Sequence, residues 1–334
     1  MADNEFPKVS IIVAAYNNEQ TIEECLKSIL ALDYPSGSVE IIVMDGASKD
    51  ATVRKVQQYP VKVVSIRLNA PAAYNYAMKN VATNQILGFI DSDAKVDRLW
   101  LRKMVPRLLE PKVAGVSGSI ETWNAENPWA KCIGYELKNR YNRIGKYTSR
   151  IATMNLLLKK AVIEEAGGWD EGLPSQYDTD LGFRLSAKGY RIAYEPSAVC
   201  FHYHRPTLKA YYRQQLQYGK NTLKLYFKHG DLAKGDEITD FGMNVQPVLL
   251  LTVIVFFFIG IIPAVRLLWL GSGLILASML IYFVYSAAKI AAKFHNRAAL
   301  RLVVLYFVRA LAWFVGALVT TLNFLRGKGR KAHA

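Results

Sequence analysis

Two aspartates flanking one serine, Asp91–Ser92–Asp93, close a short apolar run that begins at Ile86. A turn at the end of a strand brings two such carboxylates toward one cation. Carboxylate oxygens suit Mg2+ or Mn2+, and Mg2+ keeps waters and shares itself with substrate phosphates. The triplet therefore reads as the protein's hold on a divalent ion that bridges to a diphosphate. Other polar residues stand at equivalent places: Tyr16–Asn17 follows the run Val9–Ala15, and Asp45–Gly46 ends the run Val39–Asp45. Asp45 also has the plainer reading of a turn former or helix N-cap.

The elements that must position these residues alternate. Val- and Ile-rich runs at Val9–Ala15, Val39–Asp45, Val61–Ile66 and Ile86–Asp91 are separated by helix-spaced stretches at Glu19–Leu30, Asp50–Tyr59 and Pro71–Val81. Continuous apolar strands between helices predict an α/β fold with a mainly parallel sheet covered on both faces. Ligands in such sheets sit beyond the carboxyl ends of the strands. That is the edge where Tyr16, Asp45, Asp91 and Asp93 gather. From 121 to 206 the pattern loosens, with a helix-like Asp178–Lys188 and a strand-like Val199–Tyr203.

Composition narrows the function classes. With 51% hydrophobic and 21% charged residues in 334, the chain is neither disordered nor a small stapled module. Cys25, Cys132 and Cys200 are too far apart for a disulfide framework or thiolate metal site, which fits a reduced compartment. Of the net charge of +15, residues 241–334 hold ten Lys/Arg and no Asp or Glu. Cations concentrated in an apolar tail indicate anionic lipid as partner, and no nucleic-acid signature accompanies them. The first apolar run is too short for a secretory signal, so residues 1–240 are expected in the cytosol. No G-x-G-x-x-G or Gly-rich basic loop follows the first strand, which disfavours a dehydrogenase and a nucleotidyltransferase.

Residues 207–229 read as an interfacial amphipathic helix. Leu208, Tyr212, Leu216, Gly219, Leu223, Tyr226 and Phe227 share one arc, and Lys209, Arg213, Lys220, Lys224 and Lys228 occupy the next. Packing of this helix in a core, with its basic side solvated, is the alternative. Three apolar stretches follow at 247–265, 267–288 and 300–325, each near the length of a bilayer span. The first two form a tight hairpin whose return at Lys289–Arg301 obeys the positive-inside rule. A third crossing puts Arg326, Lys328, Arg330 and Lys331 outside, against the rule. The expectation is that 300–325 spans regardless, with Arg309 facing a lipid phosphate or a partner in the bundle.

Val9–Ser–Ile–Ile–Val–Ala–Ala–Tyr–Asn–Asn–Glu19 and Asp45–Gly–Ala–Ser–Lys–Asp50–Ala–Thr52 resemble the opening of family 2 glycosyltransferases of the GT-A fold. The likeness continues through Asp91–Ser–Asp93, Gly167–Gly–Trp–Asp170 and Tyr177–Asp–Thr–Asp–Leu–Gly–Phe–Arg184, in consistent order over about residues 8–220. It implies that Ala15, Tyr16 and Glu19 line a nucleotide pocket, and that Asp45 meets the base or ribose. Ser48 and Asp50 then shape the same loop, Ser92 borders the donor, and Asp91 touches ribose or metal. Asp93 becomes the principal metal ligand and Asp178 the general base for the acceptor hydroxyl. Arg184 either holds its helix through an ion pair or touches substrate. Relatives often carry a histidine near the diphosphate; here His202 and His204 are the candidates, His204 being taken as the ligand.

Two departures bear on the acceptor. The Glu usual before the base is Tyr177, and Gln-x-x-Arg-Trp appears as Gln214–Gln–Leu–Gln–Tyr218, which argues against processive synthesis. Tyr177, Arg205, Arg213, Gln214 and Tyr218 are placed on the acceptor side. The expected architecture is a GT-A domain over 1–206, an interface helix and linker over 207–240, and a membrane domain over 241–334. The expected activity is metal-dependent, inverting transfer from a UDP- or GDP-sugar to a lipid-linked glycan or polyprenyl phosphate at the cytosolic membrane face. A catalytically silent membrane scaffold is the alternative outside the enzyme class.

Overall fold

The structure, a computed structural model, describes residues 6–327. Val9–Ala15 (β1) and Val39–Asp45 (β2) form strands over the same limits as their apolar runs. Helix α1 (Ile22–Leu30) buries Ile22, Cys25, Leu26 and Ile29 against this sheet. The alternation continues with α2 (Thr52–Val56), β3 (Lys62–Ser65), α3 (Ala70–Asn80) and β4 (Ile86–Phe89). After β4 come β5 (Ala94–Val96), α4 (Trp100–Leu108), β6 (Val113–Thr122), α5 (Pro128–Tyr141), β7 (Tyr147–Thr148) and β8 (Leu156–Lys159). Helices α6 (Lys160–Glu165) and α7 (Tyr177–Ala187) and the long strand β9 (Arg191–His202) complete the sheet-bearing part.

These strands make one nine-stranded sheet in the order β3-β2-β1-β4-β8-β6-β9-β5, with β7 on β9. The first four are mutually parallel, whereas β8 lies antiparallel to both β4 and β6, and β5 antiparallel to β9. The fold is thus a mixed α/β sheet of GT-A type. Two apolar layers cover its faces, one built on Ile11, Val13, Val43 and Trp100, the other on Ile12, Ile42, Phe89 and Trp169. Sequential strands leave β1 in opposite directions, to β2 on one side and β4 on the other, and such a reversal opens a crevice at their carboxyl ends.

The chain separates into two compact units, one of 6–123 with 141–203, the other of 124–140 with 204–327. Most of α5 packs with the C-terminal helices. Cys132 Sγ donates to the Ala298 carbonyl, Tyr135 stacks on Phe294, and Glu136 pairs with Arg309. The second unit also contains α8 (Leu208–Lys228), α9 (Phe241–Asn244), α10 (Gln246–Ile259), α11 (Leu268–Lys293) and α12 (Leu302–Leu325).

Helix α8 buries a different stripe from the one its apolar residues predict. Tyr211, Gln215, Gly219, Asn221 and Leu225 are buried, while Phe227 is 90% exposed. The reason is close packing on α12. A Cβ added at Gly316 would lie 2.7 Å from the Gly219 carbonyl carbon, so the two backbones touch where both lack side chains. The helices α10 and α11 form the expected hairpin, tied by Trp269 Nε1 to the Phe257 carbonyl at 2.9 Å and Ser272 Oγ to the Val253 carbonyl at 3.1 Å. Three helical stretches, Phe241–Ile259, Leu268–Lys293 and Arg297–Leu325, are long and apolar enough to cross a membrane.

Candidate active site

Parallel pairing sets Ala15 level with Asp45 and Asp45 level with Ser65, so the residues that follow β1, β2 and β3 emerge at one edge. Two loops rise there and fasten to each other. Asn17 N–H donates to Ser48 Oγ at 2.9 Å, Lys49 N–H to Asn17 Oδ1 at 2.9 Å, and Asn18 N–H to Thr52 Oγ1 at 2.8 Å. Glu19 and Asp50 lock the far end, with Ala51 N–H donating to Glu19 Oε2 and Glu19 N–H to Asp50 Oδ2. Glu19, Ser48 and Asp50 thus tie the two loops together through bonds to the main chain. Tyr16 projects from the first loop with 58% of its surface exposed. Ala15 ends β1 beneath it, buried.

Asp45 is fully enclosed at the end of β2. Its carboxylate accepts from Ser48 N–H at 3.1 Å and Ser65 Oγ at 2.7 Å. These bonds are those of a turn former at the strand end.

Asp91, Ser92 and Asp93 occupy the turn between β4 and β5, closed by Ala94 N–H donating to the Asp91 carbonyl at 2.9 Å. Ser92 is buried, and the two aspartates are half-buried. Tyr74 Oη, on α3, reaches Asp91 Oδ1 at 3.4 Å, and the Thr153 hydroxyl bonds to both. Burial, and then the Asp93 charge, push the Asp91 carboxyl up to about 6; His202 pulls the other way and Asp178 adds to the rise. Two carboxylates crowded in this way are a donor set that a divalent cation would relieve.

The histidine set against Asp93 is His202, with Nε2 3.3 Å from Asp93 Oδ1. From sequence, His204 is the expected ligand; the contact shown with Asp93 is that of His202. Antiparallel pairing of β5 with β9 places His202 opposite Ala94, next to Asp93, and Tyr203 N–H donates to the Asp93 carbonyl at 2.8 Å. His204 lies in the second unit, where its backbone exchanges two 2.9 Å bonds with the Asn124 amide. Among the described residues no three His, Cys, Asp or Glu side chains converge as a complete metal cluster. Asp93 and His202, with Asp91 alongside, fit an ion that takes its other ligands from water and a substrate diphosphate.

Asp178 stands in the first turn of α7, launched by Gln176 in a left-handed conformation (φ 62°). Burial raises its carboxyl, and hydrogen bonding to Thr179 N–H at 2.7 Å and the Arg150 charge oppose the rise. Tyr177 turns its ring into an aromatic cluster with Trp169 (5.8 Å) and Tyr74 (6.1 Å). Arg184 holds the structure. Its Nε donates to Asp180 Oδ2 at 2.8 Å, and its other nitrogens bond the Ala166 and Gly168 carbonyls. Arg205, Arg213, Gln214 and Tyr218 lie in the second unit, the last three on α8. Sequence reasoning missed Tyr74, Thr153 and Arg150. No local pattern marks them; they arrive from α3 and from the loop before β8.

Residues 7–219 match the family model "Glycosyltransferase like family 2", and the chain belongs to that family. It is 26% identical over 243 residues to the probable glycosyltransferase YdaM of Bacillus subtilis, covering 67% of this chain and 57% of YdaM. It is 25% identical over 228 residues to glycosyltransferase AglE of Haloferax volcanii, covering 66% of this chain and 74% of AglE. The match thus spans little more than half the length of YdaM. The solved mannosyltransferase PcManGT of Pyrobaculum calidifontis, in complex with GDP-Man and Mn2+, shares the fold with a TM-score of 0.61 and 22% identity, covering 95% of this chain and 88% of that one.

Proposed function

We propose that this family 2 member is a membrane-anchored, metal-dependent inverting glycosyltransferase that moves one sugar from a UDP- or GDP-sugar to a membrane-associated acceptor. The observation that carries the reading is the grouping, at the β1 crevice, of Asp93 with His202 and of Asp91 with a charge from Asp178. Binding of GDP-Man and Mn2+ by the PcManGT fold supports the same donor chemistry here.

In this mechanism Tyr16 and Asp45 bind the nucleoside, and Asp91 and Asp93, with His202, hold Mg2+ or Mn2+. When bound, the cation neutralises charge on the departing diphosphate. Asp178, whose carboxyl burial raises above its ordinary value, takes the proton of an acceptor hydroxyl that is otherwise a poor nucleophile. A single in-line displacement inverts the anomeric centre. A polyprenyl phosphate acceptor is already anionic and needs no base, so Arg205 or Arg213 would serve it instead. Tyr177 and the altered Gln214–Tyr218 element support single additions to lipid-linked intermediates of cell-surface glycans, on the cytosolic face of a multi-pass anchor.

The test is to incubate the purified full chain with radiolabelled UDP- and GDP-sugars, Mn2+ or Mg2+, and membrane lipid extract. Label moving into an organic-soluble product is expected. No transfer and no donor hydrolysis with any sugar or metal would point to the silent scaffold.

A further inference from the structure

We infer that Asn155 is a positioning residue for the metal site: its side-chain amide pins a three-residue bulge in β9, and that bulge turns His202 toward Asp93. The inference rests on the reading that Asp93 and His202 hold the cation.

The bulge is visible in the pairing of β6 with β9. Gly118 lies level with Glu195, but the next residue, Ser119, lies level with Val199. Pro196, Ser197 and Ala198 are therefore extra. Side chains alternate across a strand, so an odd number of extra residues exchanges the faces of everything that follows. The burial of β9 shows the exchange. Ala193 before the bulge, and Ala198 and Cys200 after it, all join the layer built on Ile11, Val13 and Trp100, whereas Ile192 joins the layer of Phe89 and Trp169. The first of these is odd-numbered and the next two even, so the face has changed. His202 continues the even set: it pairs opposite Ala94, and its Nε2 comes 3.3 Å from Asp93 Oδ1. Without the bulge, β9 would run three residues, about 10 Å, further along β6 and present this imidazole on the other face.

Asn155, fully buried immediately before β8, holds the bulge from inside. Its Nδ2 donates to the Ala198 carbonyl at 2.9 Å and to the Ser119 carbonyl at 2.7 Å, one on each strand at the step where the register changes. The Trp100 indole N–H donates to its Oδ1 at 2.6 Å; an indole only donates, so the amide has a single orientation. The inward Ala198 carbonyl needs the space over Gly118, where an added Cβ would lie 2.1 Å from that oxygen. Two further bonds fasten the rim: Ser119 Oγ donates to the Pro196 carbonyl at 2.7 Å, and Ser197 Oγ to Glu195 Oε1 at 2.6 Å. The side-chain bonds of Asn155 go to Trp100, Ser119 and Ala198, so its effect on the cation passes through β9. Bulges beside active sites re-aim a side chain in this way.

The test uses the purified full chain in detergent. Asn155→Asp keeps the shape and the Trp100 bond but sets an oxygen against two carbonyls. Hydrogen exchange should quicken by about tenfold or more at the Tyr203 and Trp123 amides, which donate to the Asp93 and His202 carbonyls, while the β1 and β2 amides stay protected. With Mn2+ as the probe, pulsed EPR should show the nitrogen modulation of a bound imidazole in the parent, and should lose it in both His202→Ala and Asn155→Asp. Trp100→Phe, a milder change that frees the amide to turn, should give both effects in smaller degree and carries the test if Asn155→Asp does not fold. Unchanged exchange in the folded variant, or quickened exchange with the nitrogen signal intact, would overturn the inference. A parent without that signal would instead strike the cation reading, and the exchange rates alone would then decide whether Asn155 sets the register.

Discussion

Arg309→Leu tests how the second unit is held together. The substitution removes a guanidinium whose side chain is 4% exposed from a glutamate that is 9% exposed. Breaking a buried pair from one side costs about 3–5 kcal/mol, because the remaining charge is stranded. Arg140 remains 4.0 Å from Glu136 and moves the cost toward the lower end of that range. Loss of the guanidinium over the Tyr306 ring (4.9 Å) and the Trp313 ring (5.9 Å) adds roughly 0.5–1 kcal/mol each. The single variant should therefore lose about 4 kcal/mol. Arg309→Leu combined with Glu136→Leu strands no charge and should fall within about 1 kcal/mol of the parent or above it. Denaturant unfolding in detergent, followed by tryptophan fluorescence, gives the cycle. With Glu136→Leu as the second single variant, a favourable coupling energy of at least about 3 kcal/mol is expected. Equal destabilisation of the single and double variants would refute the reasoning, since the pair would then act only as packing volume.

Other consequences are as direct. Asp178→Asn should lower transfer to a hydroxyl acceptor by about 10²–10⁴-fold, and near-normal turnover would exclude that acceptor. The same variant should be more stable at neutral pH. Burial raises the native carboxyl above its ordinary 3.8, so the ionised group costs stability at neutrality, and the variant's gain in Tm should fade as pH falls through the raised value toward that ordinary one. His202→Ala should raise the Mn2+ concentration for half-maximal donor turnover by about tenfold or more; an unchanged Mn2+ titration would remove His202 from the metal site. Gly316→Ala forces a methyl to 2.7 Å from the Gly219 carbonyl carbon and should cost about 1–3 kcal/mol, read as a lowered Tm in detergent.

Much of the catalytic half is legible in the amino-acid order. The limits of β1 and β2, the acidic turn after β4 and the helix bearing Asp178 all follow from local pattern: continuous Val/Ile runs, turn residues and helical spacing. These are short-range preferences, and neighbours a few residues apart suffice to express them. The family resemblance, carried by five ordered motifs, rests on the same local evidence.

What only the folded chain decided depends on which elements meet. His202, not His204, faces Asp93 because strand pairing between β5 and β9 selects it. Tyr74 and Thr153 reach Asp91 from segments with no motif of their own. The buried stripe of α8 contains Gln215 and Asn221, and the apolar Phe227 stays outside, because a glycine contact with α12 decides which side of the helix is covered. Arg309, which an apolar stretch presents as an isolated charge, is answered by Glu136 from a helix over 170 residues away. Hydropathy sums residues along one helix, whereas burial and charge compensation are settled by the partner that packs against it.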